Sequence, residues 1–85
     1  WKFDLKLLDL QPIQMPVGAE ILSVQSQCDE LKLWAFVNPF NKTTIRYIEI
    51  YGTGHRIDYK FKRNFIGTVQ MEKHGLVWHV FERIT

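Results

Sequence analysis

A chain of 85 residues holds one domain, and at this length only about 60% of the unfolded surface is buried on folding, so the core is thin. Aromatic residues, 14% of the chain, offset part of that limit because each ring buries a large area. A net charge of +2 argues against extensive phosphate neutralisation on long nucleic acid, and a single cysteine, Cys28, cannot close an internal disulfide.

No apolar run approaches the ~20 residues of a membrane-spanning helix, and Trp1-Lys2-Phe3-Asp4 lacks signal-peptide character. The expectation is a soluble protein of a reducing cytoplasm, without a membrane partner.

Trp1, Phe3, Leu5 and Leu7 alternate with Lys2, Asp4 and Lys6, the period of a strand with one dry and one wet face. Pro12 and Pro16 then interrupt the chain, and with Val17-Gly18 they read as a connector. Glu20 to Gln27 follows as a second strand, with Leu22 and Val24 expected toward the core. Cys28-Asp29-Glu30 reads as a tight turn into a third strand, Leu31 to Val37.

Asn38-Pro39-Phe40-Asn41-Lys42 is rich in turn formers, and the β-branched and aromatic run Thr43 to Tyr51 supplies a fourth strand. Arg56 to Asn64, with Arg56, Lys60, Lys62 and Arg63 beside Tyr59 and Phe61, reads as a surface loop. Phe65 to Met71 makes a fifth strand, Lys73-His74-Gly75 a turn and Leu76 to Glu82 a sixth. About six short antiparallel strands without a helix predict an all-β meander, closed as a small barrel or packed as a two-sheet sandwich.

Two strands carry apolar residues on both faces. In the third, Trp34 and Phe36 oppose Leu33, Ala35 and Val37; in the sixth, Trp78 and Val80 oppose Val77, His79 and Phe81. A second apolar face must meet another layer, a ligand or another copy of the chain, and a homo-oligomer would add the core that so short a chain lacks.

The element with most chemical character is Tyr51-Gly52-Thr53-Gly54-His55-Arg56. It matches neither GxGxxG nor GxxxxGK[ST], so dinucleotide and P-loop readings fall away. Two readings stay open: a backbone nest in which Gly52 to His55, the Thr53 hydroxyl and Arg56 hold a phosphate, or a glycine bend in the strand. Tyr59, Phe61, Trp34 and Trp78 are candidate platforms against which a base could stack.

Catalytic and metal chemistry find little support. His55, His74 and His79 show no HxH or HExxH spacing, Cys28 stands alone, and Asp29-Glu30 and Asp58 pair with nothing. A binding protein is expected, not an enzyme, with no cofactor and no metal. A hydrolase built on His55 or His79 is disfavoured, because no orienting carboxylate or oxyanion donor is identifiable.

Across nearly the whole chain, Met15-Pro16-Val17-Gly18-Ala19 with Ile21 to Gln25, Leu33-Trp34-Ala35, Ile50 to His55, Ile66-Gly67-Thr68 with Gln70, and His79-Val80-Phe81-Glu82 resemble a family of small phage and prophage proteins known as a domain of unknown function. The basic stretch after His55 is longer here than in that pattern. The resemblance implies a phage or prophage accessory protein in the cytoplasm of a bacterial host, one that binds and neutralises a host factor in counter-defence. A phosphorylated small molecule such as a signalling nucleotide is the favoured ligand. The alternatives are inhibition of a host protein through the Trp34 and Phe36 face, and a structural or assembly role in the virion.

Overall fold

Period-two alternation resolves into seven strands: β1 (Lys2–Leu5), β2 (Leu10–Pro16), β3 (Glu20–Gln27), β4 (Glu30–Phe36), β5 (Thr43–Gly52), β6 (Arg63–Met71) and β7 (Leu76–Arg83). The structure, a computed structural model, describes residues 1–54, 56–71 and 75–84. All strand pairs are antiparallel, in a three-stranded sheet ordered β1-β4-β3 and a four-stranded sheet ordered β2-β5-β7-β6. The result is a two-sheet sandwich, not a closed barrel. Its order also departs from a simple meander, because β1–β4, β2–β5 and β5–β7 join strands that are not consecutive.

The core lies where the inward residues of both sheets meet. Leu31 and Leu33 of β4 face Met15 of β2, Ile48 of β5 and Val80 of β7, each at most 1% exposed. The sheets come closest along β3 and β6, where a Cβ on Gly67 would stand 3.1 Å from a Val24 methyl. A glycine there lets one sheet edge approach the other.

Three expectations need correction. The stretch from Pro12 to Pro16 is not a connector but most of β2, paired with β5 from Leu10↔Glu49 to Pro16↔Thr43. Both prolines are compatible with it because β2 is an edge strand, so a missing N–H can fall on the unpaired side. Leu22 does not face the core: the β3–β4 register shifts between Ile21 and Ser23, and the extra residue turns outward, 58% exposed, while Ile21 and Val24 pack inward. Finally, Arg63 and Asn64 belong to β6 and not to the preceding loop. The turn expected at Lys73-His74-Gly75 falls mostly outside the described residues.

The β3–β4 hairpin closes as read from the sequence. Gln27 pairs with Glu30, and the two residues between them, Cys28 and Asp29, have φ of 53° and 62°. Positive φ at both central positions is the type I′ geometry that matches strand twist and favours Asn-Gly. Cys28→Asn with Asp29→Gly should therefore raise stability by about 1 kcal/mol, a Tm increase of roughly 4–8 °C in thermal circular dichroism.

Candidate functional site

Because Ile48 and Ile50 point inward, Tyr47, Glu49 and Tyr51 of β5 lie on the outer face of the four-stranded sheet. Strand register sets β7 and β6 residues beside them in three rows. Tyr47 stands next to Arg83 and Arg63, Glu49 next to Phe81 and Phe65, and Tyr51 next to His79 and Thr68. The rows are cationic, aromatic and hydroxyl-bearing in turn.

The outer face would ordinarily leave Glu49 in water, yet it is 0% exposed. Arg63 Nε donates to its Oε1 at 2.8 Å, Arg83 Nη2 donates to Oε2 at 2.7 Å, and the Tyr51 hydroxyl also donates to Oε2. Burial pushes the carboxyl up, but the hydrogen bonds from Arg63, Arg83 and Tyr51 outweigh it and hold it at about 2 instead of 4.5. Burial and the adjacent Glu49 carboxylate together raise the Tyr51 phenol.

In the middle row Phe81 meets Phe65 and Tyr51 edge-on, with centroids 5.4 and 6.0 Å apart. In the last row both nitrogens of His79 are engaged, Nδ1 with the Thr68 hydroxyl at 3.0 Å and Nε2 with the Thr53 hydroxyl at 3.2 Å. A neutral imidazole has one N–H, so one threonine accepts from it while the other donates to it. His79 is thus held by hydrogen bonds on the outer face of the sheet.

Beside the cationic row lies a groove of about 320 Å³, lined by Leu10, Tyr47, Phe61, Arg83 and Ile84. The Arg83 guanidinium sits 4.1 Å from the centroid of Phe61, which therefore packs over it. Phe61 brings its sequence neighbours Lys60 and Lys62 to this side of the sheet.

The residues singled out in the sequence divide between places. Tyr51, Gly52 and Thr53 sit at the end of β5 beside His79. Gly52 stays in register opposite Trp78, and Gly54 follows at φ +90°, a conformation that favours glycine. Arg56 is exposed, and His55 lies outside the described residues. Trp78 faces inward and packs against the core, its indole N–H buried without an acceptor among the described residues. Trp34 lies on the outer face of the other sheet, with the Lys2 ammonium 5.7 Å from its ring. The structure therefore does not bring the two tryptophans to the Gly-Thr-Gly turn on a common face.

Sequence reasoning passed over Glu49, Arg83, Tyr47 and the role of Arg63. The one available signal was a carboxylate inside the apolar run Ile48-Glu49-Ile50-Tyr51, which asks for cationic partners wherever both its neighbours are buried.

No helix of the described residues is long and apolar enough to cross a membrane, and no cluster of three or more His, Cys, Asp or Glu among them could hold a metal ion. The sequence matches the family described as Domain of unknown function (DUF7352) over residues 1–85. The chain belongs to the DUF7352 family. Comparison with curated proteins and with solved structures gives no match. Membership in DUF7352 brings no activity with it, so the chemistry has to be argued from the outer face itself.

Proposed function

We propose that this DUF7352 domain is a non-enzymatic binding module for an anionic aromatic ligand, a phosphorylated small molecule of the signalling-nucleotide class. The observation that carries this reading is the groove between Tyr47 and Phe61 with Arg83 in its wall. Two aromatic rings offer a base its stacking surface, and the groove volume is close to the lower end of small-molecule sites. Charge supports it: Arg83 lines the groove and Lys60 and Lys62 flank Phe61 in sequence, in a chain whose net charge is +2. Such an excess attracts a phosphate. The Gly52-Thr53-Gly54 turn, with the Thr53 hydroxyl, lies at the far end of β5 and would serve as a separate anion contact. In the phage or prophage setting that the sequence resemblance implies, such a module would act stoichiometrically in the bacterial cytoplasm by sequestering a host signal.

Isothermal titration with a panel of linear and cyclic nucleotides tests the proposal. Binding by at least one of them should weaken about tenfold or more in Phe61→Ala, since each base–aromatic stack contributes ~1–3 kcal/mol. Arg56→Ala should weaken it less. If none of the panel binds below about 1 mM, the reading is wrong.

A second reading, inhibition of a host protein, is favoured by Phe36, which stands 71% exposed beside Trp34 on the opposite face of the molecule. Exposed aromatics of this kind anchor protein interfaces. Phe36→Asp would abolish that interaction and leave nucleotide binding intact.

A further inference from the structure

The sandwich has four sheet edges. β2 carries Pro12 and Pro16, and β3 and β6 run close together, each with a register shift. These devices discourage pairing with another chain. β1 has neither a proline nor a bulge, and among the described residues no strand lies on its outer side.

Its hydrogen-bond pattern shows which groups are open. Trp1 and Ala35 exchange both backbone bonds, Trp1 N–H to Ala35 O at 2.8 Å and Ala35 N–H to Trp1 O at 2.9 Å. In an antiparallel ladder such pairs alternate, so Phe3 and Leu5 also turn toward β4 while the N–H and C=O of Lys2 and Asp4 point to the free side. Two residues beyond Asp4, both backbone groups of Lys6 are taken by the Gln11 side-chain amide, at 2.9 and 2.7 Å. That amide stands where a neighbouring strand would. The open edge therefore consists of Lys2 and Asp4.

We infer that β1 is a dimerisation edge, pairing antiparallel with β1 of a second copy about a two-fold axis at Phe3. In this register Lys2 faces Asp4 of the partner subunit, and the same contact recurs across the axis. Each of these two pairs can exchange both backbone bonds, because the open groups belong to Lys2 and Asp4. Phe3 meets Phe3 of the partner subunit at the position where antiparallel side chains come closest. Trp1 meets Leu5 of the partner subunit, so every opposed pair joins like with like or opposite charges.

A lysine on an edge normally repels a second copy; here the carboxylate two residues on makes the edge self-complementary. Asp4 can serve both chains: its Oδ1 accepts from Lys32 at 2.6 Å, and its other oxygen is left for Lys2 of the partner subunit. Exposed Trp1, Leu7 and Leu8 flank this edge and supply apolar area for the interface. The inference stands independently of the nucleotide proposal.

Sedimentation equilibrium on the whole chain is the test. The expected mass is twice the 10.1 kDa of one chain. Lys2→Asp and Asp4→Lys each place like charges in both pairs, and each should raise the dimer dissociation constant about tenfold or more. An equimolar mixture of the two variants sets two carboxylates of one chain against two ammoniums of the other, and should restore dimers as mixed species. Lys2→Asp alone, at an exposed position, keeps the test decisive if Asp4→Lys unfolds on losing its Lys32 contact. A single-chain mass up to about 1 mM overturns the inference, as does a dimer whose dissociation constant ignores Lys2→Asp.

Discussion

Glu49→Gln is expected to destabilise the domain by about 3–5 kcal/mol, a Tm loss of well over ~10 °C. The substitution keeps the shape of the side chain and removes its charge. Arg63 and Arg83, both largely shielded from solvent, would then face a neutral amide where each now has a carboxylate oxygen. Removing one member of a buried ionic group is far more damaging than replacing the group as a whole. The triple variant Glu49→Leu, Arg63→Met, Arg83→Leu should therefore recover most of the loss, as read by chemical denaturation. A Glu49→Gln protein as stable as the parent would show that the cluster is not a buried ion group at all.

The same carboxylate sets an acid limit. Its folded-state value of about 2 lies below the 4.5 of an ordinary glutamate, so its stabilising contribution is complete above 4.5 and disappears as pH falls toward 2. Unfolding free energy should decline over that window in the parent chain. In Glu49→Gln the part of the slope that belongs to this group should be absent.

Leu33→Ala is expected to cost about 3–5 kcal/mol, because Leu33 is 0% exposed at the middle of the central strand of the smaller sheet. Phe3 and Val24 lie across from it on the two flanking strands and cannot close the cavity without shifting both sheet edges. Small domains carry only a few kcal/mol of net stability, so this variant should be partly unfolded at 25 °C. Leu22→Ala is the matched control. It removes the same atoms from a residue on the bulge, and its effect should stay within about 0.5 kcal/mol in the same denaturant series.

That pair of leucines also marks what the sequence could reveal. Alternation identified β1, the β-branched and aromatic run identified β5, and short apolar runs between turn formers marked β3, β4, β6 and β7, while Cys28-Asp29-Glu30 was visible as a turn because so few residues separate two strand-like runs. A bulge inserts one residue without changing composition, so Leu22 and Val24 look equivalent until the register is known. β2 was hidden for a different reason. Pro12 and Pro16 break most strands, and tolerance of them depends on β2 lying at an edge, which is a property of strand order and not of the local sequence. The candidate site was half legible: the hydroxyl row begins at Tyr51 and Thr53, which local pattern picked out. Its cationic row joins Tyr47, Arg63 and Arg83 from three strands, and their proximity exists in the register alone.

The order of the strands has a consequence for how the chain is made. β1, β3 and β4 all lie before residue 37, so the smaller sheet can be complete on a ribosome before any part of β5 has emerged. β2, threaded between β1 and β3, pairs with β5 and must wait for it, with the inward Ile13 and Met15 uncovered for the roughly two to seven seconds that translation from Pro16 to Gly52 takes. During that interval β2 is the segment most open to a neighbouring nascent chain. Its two prolines then serve as guards of a half-built molecule, needed most before the edge they protect has a partner at all.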